Sequence, residues 1–191
     1  MNKRLGQIVL FLKEIEKLKL VERIPYLSDK KRRENDAEHT WHLAMMLLVL
    51  EKEFSIKFDT LKALKIILVH DLVEIDCGDC WVTTKEEKEA KHERELKAAK
   101  RIFSILPDEL SKELFDLWLE YEEGKSNEAK VAKALDKVSY ALQFSTSKKI
   151  EWPQPHSRKS AEDYAAPFIA SEPFLLEMHD LLLNQLDTID E

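Results

Sequence analysis

The chain has 191 residues, 37 acidic and 30 basic side chains, a formal net charge of -7 and only three glycines. This length fits one domain with a full hydrophobic core, and the scarcity of glycine excludes the Gly-rich loops that cradle nucleotide phosphates, since neither G-x-G-x-x-G nor G-x-x-x-x-G-K-[ST] occurs. The acidic balance argues against duplex nucleic acid as a partner, and no run of about 18 apolar residues is present to span a membrane.

Apolar residues recur at helical spacing through most of the chain, which favours an all-α fold. A loop is expected from Pro25 to Glu34, and a long irregular loop over residues 151–170, which contain three prolines. No internal repeat divides the chain, so we expect a single-domain helical bundle of six to eight helices over residues 1–191. The predicted helices are 2–19, 37–54, 60–76, 85–104, 108–123, 127 to beyond 142, and 172–188.

Several residues are of the types that mark helix ends. Short polar side chains accept hydrogen bonds from the free backbone N–H groups of a first turn, and glycine adopts the left-handed conformation that often ends a helix. The expected N-terminal caps are Asp36, Asp59 or Thr60, and Asp108, and the expected terminators are Gly78 and Gly124.

The two cysteines, Cys77 and Cys80, form a single C-x-x-C sequence. A structural zinc site requires a second such pair or histidines at finger spacing, and a thioredoxin-like motif requires neighbouring strands; neither pattern is present. Charged residues from Lys13 to Lys17 interrupt the apolar N-terminal run, which makes it unlike a secretory signal. We therefore expect incidental thiols in a cytoplasmic protein.

The first candidate functional residues are His70 and Asp71, which stand at the end of an apolar predicted helix. Burial of an unpaired charge is costly, so such a pair normally has a partner or binds a metal ion. Glu74 follows one helical turn later on the same face. Imidazole nitrogen and carboxylate oxygen suit a divalent transition metal. Taken alone, however, the pair is better explained by a core histidine beside an acid at a helix end.

Two other predicted helices carry similar exceptions to their apolar pattern. His39 opens the second helix beside an apolar stripe, and Asp136 lies within the apolar sequence AKALDKVSYAL. One ion shared by three helices explains these polar positions more simply than three separate causes. His42, one turn after His39, is an alternative ligand.

In order along the chain, His39, His70-Asp71 and Asp136 resemble the H…HD…D pattern of HD-domain metal-dependent phosphohydrolases. Longer matches resemble one branch of that family, the 5′-deoxynucleotidases and related HD-domain-containing proteins. These matches are Arg23-Ile-Pro, ENDAEH ending at His39, HDLVEIDCGD from His70 to Asp79, and ALDKV around Asp136. The resemblance covers about residues 5–185 and implies an HD-domain fold with its metal-site core at about 20–145.

The resemblance implies a role for each matching residue. Glu74 would transfer protons beside the metal, Arg23 would bind the substrate phosphate, and Asp79 would contact the sugar or assist catalysis near the scissile bond. The implied reaction removes the 5′-phosphate of a (deoxy)nucleoside monophosphate, and the implied assembly is a homodimer. The cofactor would be a divalent cation (Mn, Co, Zn, Fe, Ni or Mg), with His39, His70, Asp71 and Asp136 as ligands.

The residues leave several alternatives open. Position 24 is Ile, where nucleotidases of the family place a bulky aromatic residue beside the sugar 2′ position, so preference for deoxy over ribo substrates is undecided. Residues 80–84 either line the substrate pocket or only pack. Lys137 either supports Asp136 as a cation behind the metal ligands or faces solvent, and we expect the latter. Alternative functions are a nucleotide pyrophosphohydrolase or di-metal oxygenase on the same scaffold, and a non-catalytic helical interaction protein.

Overall fold

The computed structural model describes residues 2–80, 84–146 and 158–187. Within these ranges it contains eight α-helices of ten or more residues, which confirms the all-α class and the upper end of the predicted helix count. None of the helices described here has the length and apolar character needed to cross a membrane. The helices are α1 (Lys3–Ile15), α2 (Asp36–Leu50), α3 (Thr60–Val69), the single turn α4 (Glu74–Cys77), α5 (Lys85–Phe103), α6 (Asp108–Glu123), α7 (Asn127–Thr146), α8 (Arg158–Ile169) and α9 (Pro173–Asp187).

Helix α7 is the centre of the bundle, because it packs against α2, α3, α6, α8 and α9. Small side chains at Ala129, Ala132 and Ala134 are buried and let neighbouring helices approach closely, while Leu135 and Val138 fill the space between them. A polar side chain on the inner face of this helix is therefore surrounded by several other helices. Asp136 occupies such a position.

The loop predicted from Pro25 to Glu34 is confirmed for residues 27–32, and two short strands flank it. A 3-10 turn (Glu16–Leu20) leads into β1 (Glu22–Tyr26), which pairs antiparallel with β2 (Arg33–Asn35). Pro25 lies inside β1, where a strand of a two-stranded sheet tolerates a residue without an N–H donor. The strands hold Arg23 against the bundle, since β1 contacts α7.

The start of α2 differs by one residue from the prediction. Asn35, in extended conformation, is the N-terminal cap, and its side chain accepts a hydrogen bond from the Glu38 N–H at 3.0 Å. Glu38 accepts one in return from the Asn35 N–H at 3.1 Å, which completes a capping box. Asp36 was expected as the cap, and its side chain is instead free to enter the site.

Helix α3 ends directly before His70. The prediction of one helix from 60 to 76 is wrong, because α3 ends at Val69 and residues 70–73 form a turn before α4. Asp59 caps α3 as predicted, with its side chain accepting from the Lys62 N–H at 3.0 Å. Gly78 ends α4 at a φ of 70°, and Gly124 ends α6 at a φ of 63°.

The prediction of an irregular loop over 151–170 is wrong for its second half. Residues 158–169 form α8 even though Pro167 lies within it. Pro167 stands near the end of the helix, where the missing N–H affects a single turn. Residues 151–157, with Pro153 and Pro155, lie outside the described residues.

Candidate metal centre

The side chains proposed as metal ligands converge from three helices. His39 lies in the first turn of α2, His70 and Asp71 directly follow α3, and Asp136 lies in the middle of α7. His39 Nε2 is 3.2 Å from Asp136 Oδ1 and 3.8 Å from Asp71 Oδ2, and His70 Nε2 is 3.1 Å from Asp71 Oδ2. One donor atom from each of His39, His70 and Asp136 lies within 4.8 Å of the others.

The backbone fixes the orientation of the His70 ring. Its Nδ1 lies 2.7 Å from the carbonyl oxygen of Ile67, which can only accept, so Nδ1 carries the proton. Nε2 therefore presents its lone pair to the cluster, where it is buried and makes no hydrogen bond. A buried nitrogen without a partner, facing carboxylates, fits a divalent cation.

The charges around the two imidazoles also fit a cation. Burial and the nearby Arg23 lower the pKa of His39 to about 4, which keeps its ring neutral. Burial opposes protonation of His70 as well, but Asp71 and Asp136 outweigh it and raise the pKa of His70 above its usual value. The same negative field that would hold a proton at His70 would stabilise a metal ion beside it.

Hydrogen bonds to one carboxylate oxygen of Asp136 hold this side chain in place, and its other oxygen faces the cluster. Its Oδ2 accepts hydrogen bonds from Tyr121 Oη at 3.1 Å and from Lys137 Nζ at 2.6 Å. Burial raises the pKa of Asp136, but Lys137 and His39 together hold it well below its usual range. The expectation that Lys137 faces solvent is wrong, because its side chain is 14% exposed and also donates to Tyr164 Oη at 2.8 Å.

Arg23 lies on β1 among four carboxylates. Its Nη1 is 3.1 Å from Asp36 Oδ1, 3.4 Å from Asp71 Oδ2 and 3.9 Å from Asp79 Oδ2, and its Nε is 3.5 Å from Glu34 Oε2. Burial raises the pKa of Glu34 and of Asp36 to about 7 in each case, although Arg23 acts in the opposite direction. Sequence reasoning missed Glu34 and Asp36 because both stand in the charged stretch KKRRENDAEH, where acids are ordinary surface residues.

Glu74, at the start of α4, lies beside the cluster and is buried. Its Oε1 is 3.7 Å from Lys91 Nζ, and its Oε2 makes no hydrogen bond. Burial, reinforced by the charges of Asp71 and Asp36, raises the pKa of Glu74 well above its usual value. Carboxylate oxygens of Asp36, Glu74 and Asp79 lie within 4.8 Å of one another, so the candidate catalytic acids form a second group next to the first.

A cavity of about 570 Å³ opens over His70, Asp71 and Glu74. It lies between α5, α6, α7 and α8, and its volume is in the range of small-molecule sites. Trp81, Val82 and Thr83, which were candidates for lining the pocket, lie outside the described residues. The other lining residues are Lys91, Glu95, Tyr121, Glu122, Lys133, Lys137, Asp163, Tyr164, Pro167 and Phe168.

Other candidate residues lie away from the cluster. His42 is half-buried beside the ring of Trp41, at 6.1 Å between ring centroids. Cys77 and Cys80 are free thiols, and neither belongs to a group of potential metal ligands in the described part of the chain. The structure thus brings His39 rather than His42 to the carboxylates.

Comparison with known proteins places most of the chain in one family. The sequence profile of the HD domain matches residues 15–168. The 5′-deoxynucleotidase HDDC2 of Homo sapiens is 35% identical over 142 residues, which are 74% of this chain and 68% of that protein. The protein of the same name from Dictyostelium discoideum is 37% identical over 152 residues, which are 76% of this chain and 78% of that protein.

A solved structure gives the same result. The crystal structure of a predicted metal-dependent phosphohydrolase from Magnetospirillum magnetotacticum MS-1 has a TM-score of 0.87 and 33% sequence identity to this chain. The match covers 99% of this chain and 98% of the other. The family resemblance of the sequence motifs is therefore confirmed, and the chain belongs to the HD domain family.

Proposed function

We propose that this protein is a metal-dependent phosphomonoester hydrolase that removes the 5′-phosphate of (deoxy)nucleoside monophosphates, giving nucleoside and phosphate. The observation that carries the proposal is the convergence of His39, His70 and Asp136, beside a cavity of about 570 Å³ that His70 and Asp71 line. The relatives from Homo sapiens and Dictyostelium discoideum, both named 5′-deoxynucleotidases, support the substrate class.

His39, His70, Asp71 and Asp136 would hold the divalent cation. A bound cation of this kind polarises phosphoryl oxygen and lowers the pKa of water. The mixed nitrogen and oxygen donors suit Mn, Co, Zn, Fe or Ni, and also Mg less closely, since Mg prefers oxygen ligands. The hydrogen bonds from Tyr121 and Lys137 would hold the Asp136 carboxylate in place for this role.

Glu74 and Asp79 are the proposed catalytic carboxyl groups. The raised pKa of Glu74 favours its protonated form, which suits a group that gives a proton to the departing nucleoside oxygen. Asp79 follows Gly78 at the edge of the site and would contact the sugar or assist near the scissile bond. Arg23, 3.4 Å from Asp71 Oδ2, would bind the phosphate through its guanidinium.

We further infer a homodimer of single-domain subunits, located in the cytoplasm. Apolar side chains of α2 are exposed in a stripe at helical spacing, which supports a covered surface between two copies. The free state of Cys77 and Cys80 agrees with a reducing compartment. The exposed apolar residues on α2 are Trp41, Met45, Leu48 and Val49.

The deciding experiment measures phosphate release by metal-stripped protein from ribo- and deoxyribonucleoside 5′-monophosphates, with Mn, Co, Zn, Ni, Fe or Mg added back. We expect turnover of at least one monophosphate that depends on added metal, and loss of that turnover in His70→Ala. His42→Ala is the matched control, because it removes a neighbouring imidazole outside the cluster and should retain activity.

The same experiment separates the alternatives. Turnover of a di- or triphosphate but of no monophosphate would contradict the nucleotidase assignment and indicate a pyrophosphohydrolase. Full activity in His70→Ala or Asp71→Ala would reject the metal centre itself. Absence of both metal binding and hydrolysis would identify a non-catalytic protein. The ratio of deoxy to ribo turnover would decide the question that Ile24 leaves open.

A further inference from the structure

The cavity over the candidate metal centre has more negative than positive side chains. Its described lining includes five carboxylates, on Asp71, Glu74, Glu95, Glu122 and Asp163, but three lysines. A phosphate dianion that enters this space is repelled by each carboxylate whose charge is not neutralised. An unpaired cation in the cavity lining would therefore assist the metal ion and Arg23 in binding the phosphate.

Two of the three lysines are engaged with protein groups. Lys91 Nζ lies 3.3 Å from Glu95 Oε1 and 3.7 Å from Glu74 Oε1, and donates to the carbonyl oxygen of Cys80 at 3.4 Å. Lys137 Nζ bonds Asp136 and Tyr164, as described above. Both ammonium groups are paired with carboxylates of the protein, which reduces the net positive charge that they offer to a ligand.

Lys133 differs from the other two. Within the described part of the chain, its ammonium group makes no ion pair and no hydrogen bond, and its Nζ lies 4.3 Å from the centre of the Tyr121 ring. The hydroxyl of the same tyrosine donates to Asp136, so one phenol ring connects Lys133 to the candidate metal centre. Burial lowers the pKa of Lys133, and the charges of Glu122, Asp136 and Glu95 oppose this effect without outweighing it.

The end of α6 makes room for the Lys133 side chain. A Cβ atom at position 124 would lie 3.0 Å from Lys133 Cε and 3.2 Å from its Cδ, both closer than ordinary van der Waals contact. Gly124 thus forms a slot for the lysine stem, and the Tyr121 ring supports its charged end by a cation–π contact. The ammonium group is positioned before any ligand binds.

We propose that Lys133 binds the substrate phosphate from the α7 side of the cavity. Its ammonium group would donate a charge-assisted hydrogen bond to a non-bridging phosphate oxygen. Arg23, by contrast, is not part of the described cavity lining and contacts Asp71 from the β1 side. This inference rests on the proposed phosphatase function and adds a second cationic contact to it.

The test compares Lys133→Met with Lys130→Met. Methionine keeps much of the apolar stem and removes the charge, while Lys130 is an exposed lysine three residues earlier on the same helix that does not line this cavity. We expect Lys133→Met to raise both KM for nucleoside monophosphates and the inhibition constant for inorganic phosphate by about tenfold or more, the usual effect of a lost charged hydrogen bond. Lys130→Met should leave both constants unchanged.

Lys133→Arg keeps the positive charge and should return the phosphate inhibition constant to within about threefold of the wild-type value. Equal phosphate inhibition of Lys133→Met and wild type would overturn the proposal. A raised KM with an unchanged phosphate inhibition constant would also overturn it, because the lysine would then contact the nucleoside.

Direct binding of inorganic phosphate to the Mn-loaded protein, measured by calorimetry, separates this proposal from the proposed function. Weaker binding by Lys133→Met, in a protein that hydrolyses no monophosphate, would reject the nucleotidase and support the lysine as an anion-binding residue. Phosphate binding that does not differ between Lys133→Met and wild type would reject the role of Lys133, whatever the protein hydrolyses.

Discussion

At the scale of single residues, the buried carboxyl group of Glu34 gives the fold a pH dependence. Glu34 is 4% exposed, and burial raises its pKa from 4.5 to about 7 despite the nearby Arg23. A group whose pKa is higher in the folded chain stabilises the fold fully below its unfolded pKa and loses that contribution as the pH rises through the folded pKa. The loss between pH 4.5 and 7 corresponds to about 3 kcal/mol in the free energy of unfolding.

Urea denaturation of wild type and Glu34→Gln at pH 5 and pH 8, with a chelator present, measures this effect. Because glutamine does not ionise, we expect the stability of wild type relative to the variant to fall by about 2.5 kcal/mol between the two pH values. Glu38→Gln is the control, since a hydrogen bond from Arg32 lowers the pKa of Glu38 and gives its contribution the opposite sign. Parallel pH profiles for wild type and Glu34→Gln would contradict the prediction.

Some residues of the site can be predicted from the sequence and others cannot, for a physical reason. His39, His70 and Asp136 stand out because each interrupts an apolar helical pattern, where a polar side chain needs an explanation. Lys91 and Lys133 carry no such signal, because α5 is polar along most of its length and lysines recur on α7. Their importance depends on which helices face each other across the cavity, which a single sequence does not contain.

At the scale of secondary structure, Gly78 determines the path of the chain between Glu74 and Asp79. It ends α4 with φ 70° and ψ 155°, and its N–H donates to the Glu74 carbonyl oxygen at 2.7 Å. A Cβ at this position would meet no atom within 4 Å, so the effect of alanine comes from the backbone alone. These dihedral angles cost a residue other than glycine about 1–3 kcal/mol.

We therefore expect Gly78→Ala to lower the free energy of unfolding by about 1–3 kcal/mol and to reduce phosphatase activity, because Asp79 is displaced. Gly6→Ala provides the control: Gly6 lies within α1 and is not among the glycines with positive φ, so alanine should stabilise the helix by up to about 1 kcal/mol. Chemical denaturation measures both effects. Unchanged stability in Gly78→Ala would show that the turn relaxes into another conformation.

Periodicity predicts the long helices well and the short elements poorly. Helices α5, α6 and α9 begin and end within one or two residues of their predicted limits. The expectation that Asp108 caps α6 is wrong, because Pro107 is the cap residue and Asp108 is the first residue of the helix. The strands β1 and β2 have five and three residues, too few for an alternating pattern to appear among charged side chains. Helix α8 was not predicted because Pro167 argues against a helix, and the sequence does not reveal that this proline lies in the last turn of α8.

At the scale of the whole molecule, the candidate metal centre connects α2, α3 and α7 at the middle of the bundle. The chain has a net charge of -7, and Asp71 and Asp136 face each other there across two imidazoles. Lys137 lies 2.6 Å from Asp136 and Arg23 lies 3.4 Å from Asp71, and a divalent cation held between the two carboxylates would add to the stability of the folded state. Metal binding and folding should therefore be linked.

A ligand that binds only the folded state stabilises it by about 2.7 kcal/mol at a concentration 100 times its Kd, which for a chain of this size raises Tm by about 5–10 °C. We expect this increase when Mn²⁺ is added to metal-stripped wild type, and its reversal by EDTA, in thermal unfolding followed by circular dichroism. His42→Ala should show the full increase and His70→Ala little or none, because the buried Nε2 of His70 makes no hydrogen bond and faces the cluster, whereas His42 lies outside it. Equal increases in wild type and His70→Ala would mean that the ion binds elsewhere on this acidic surface.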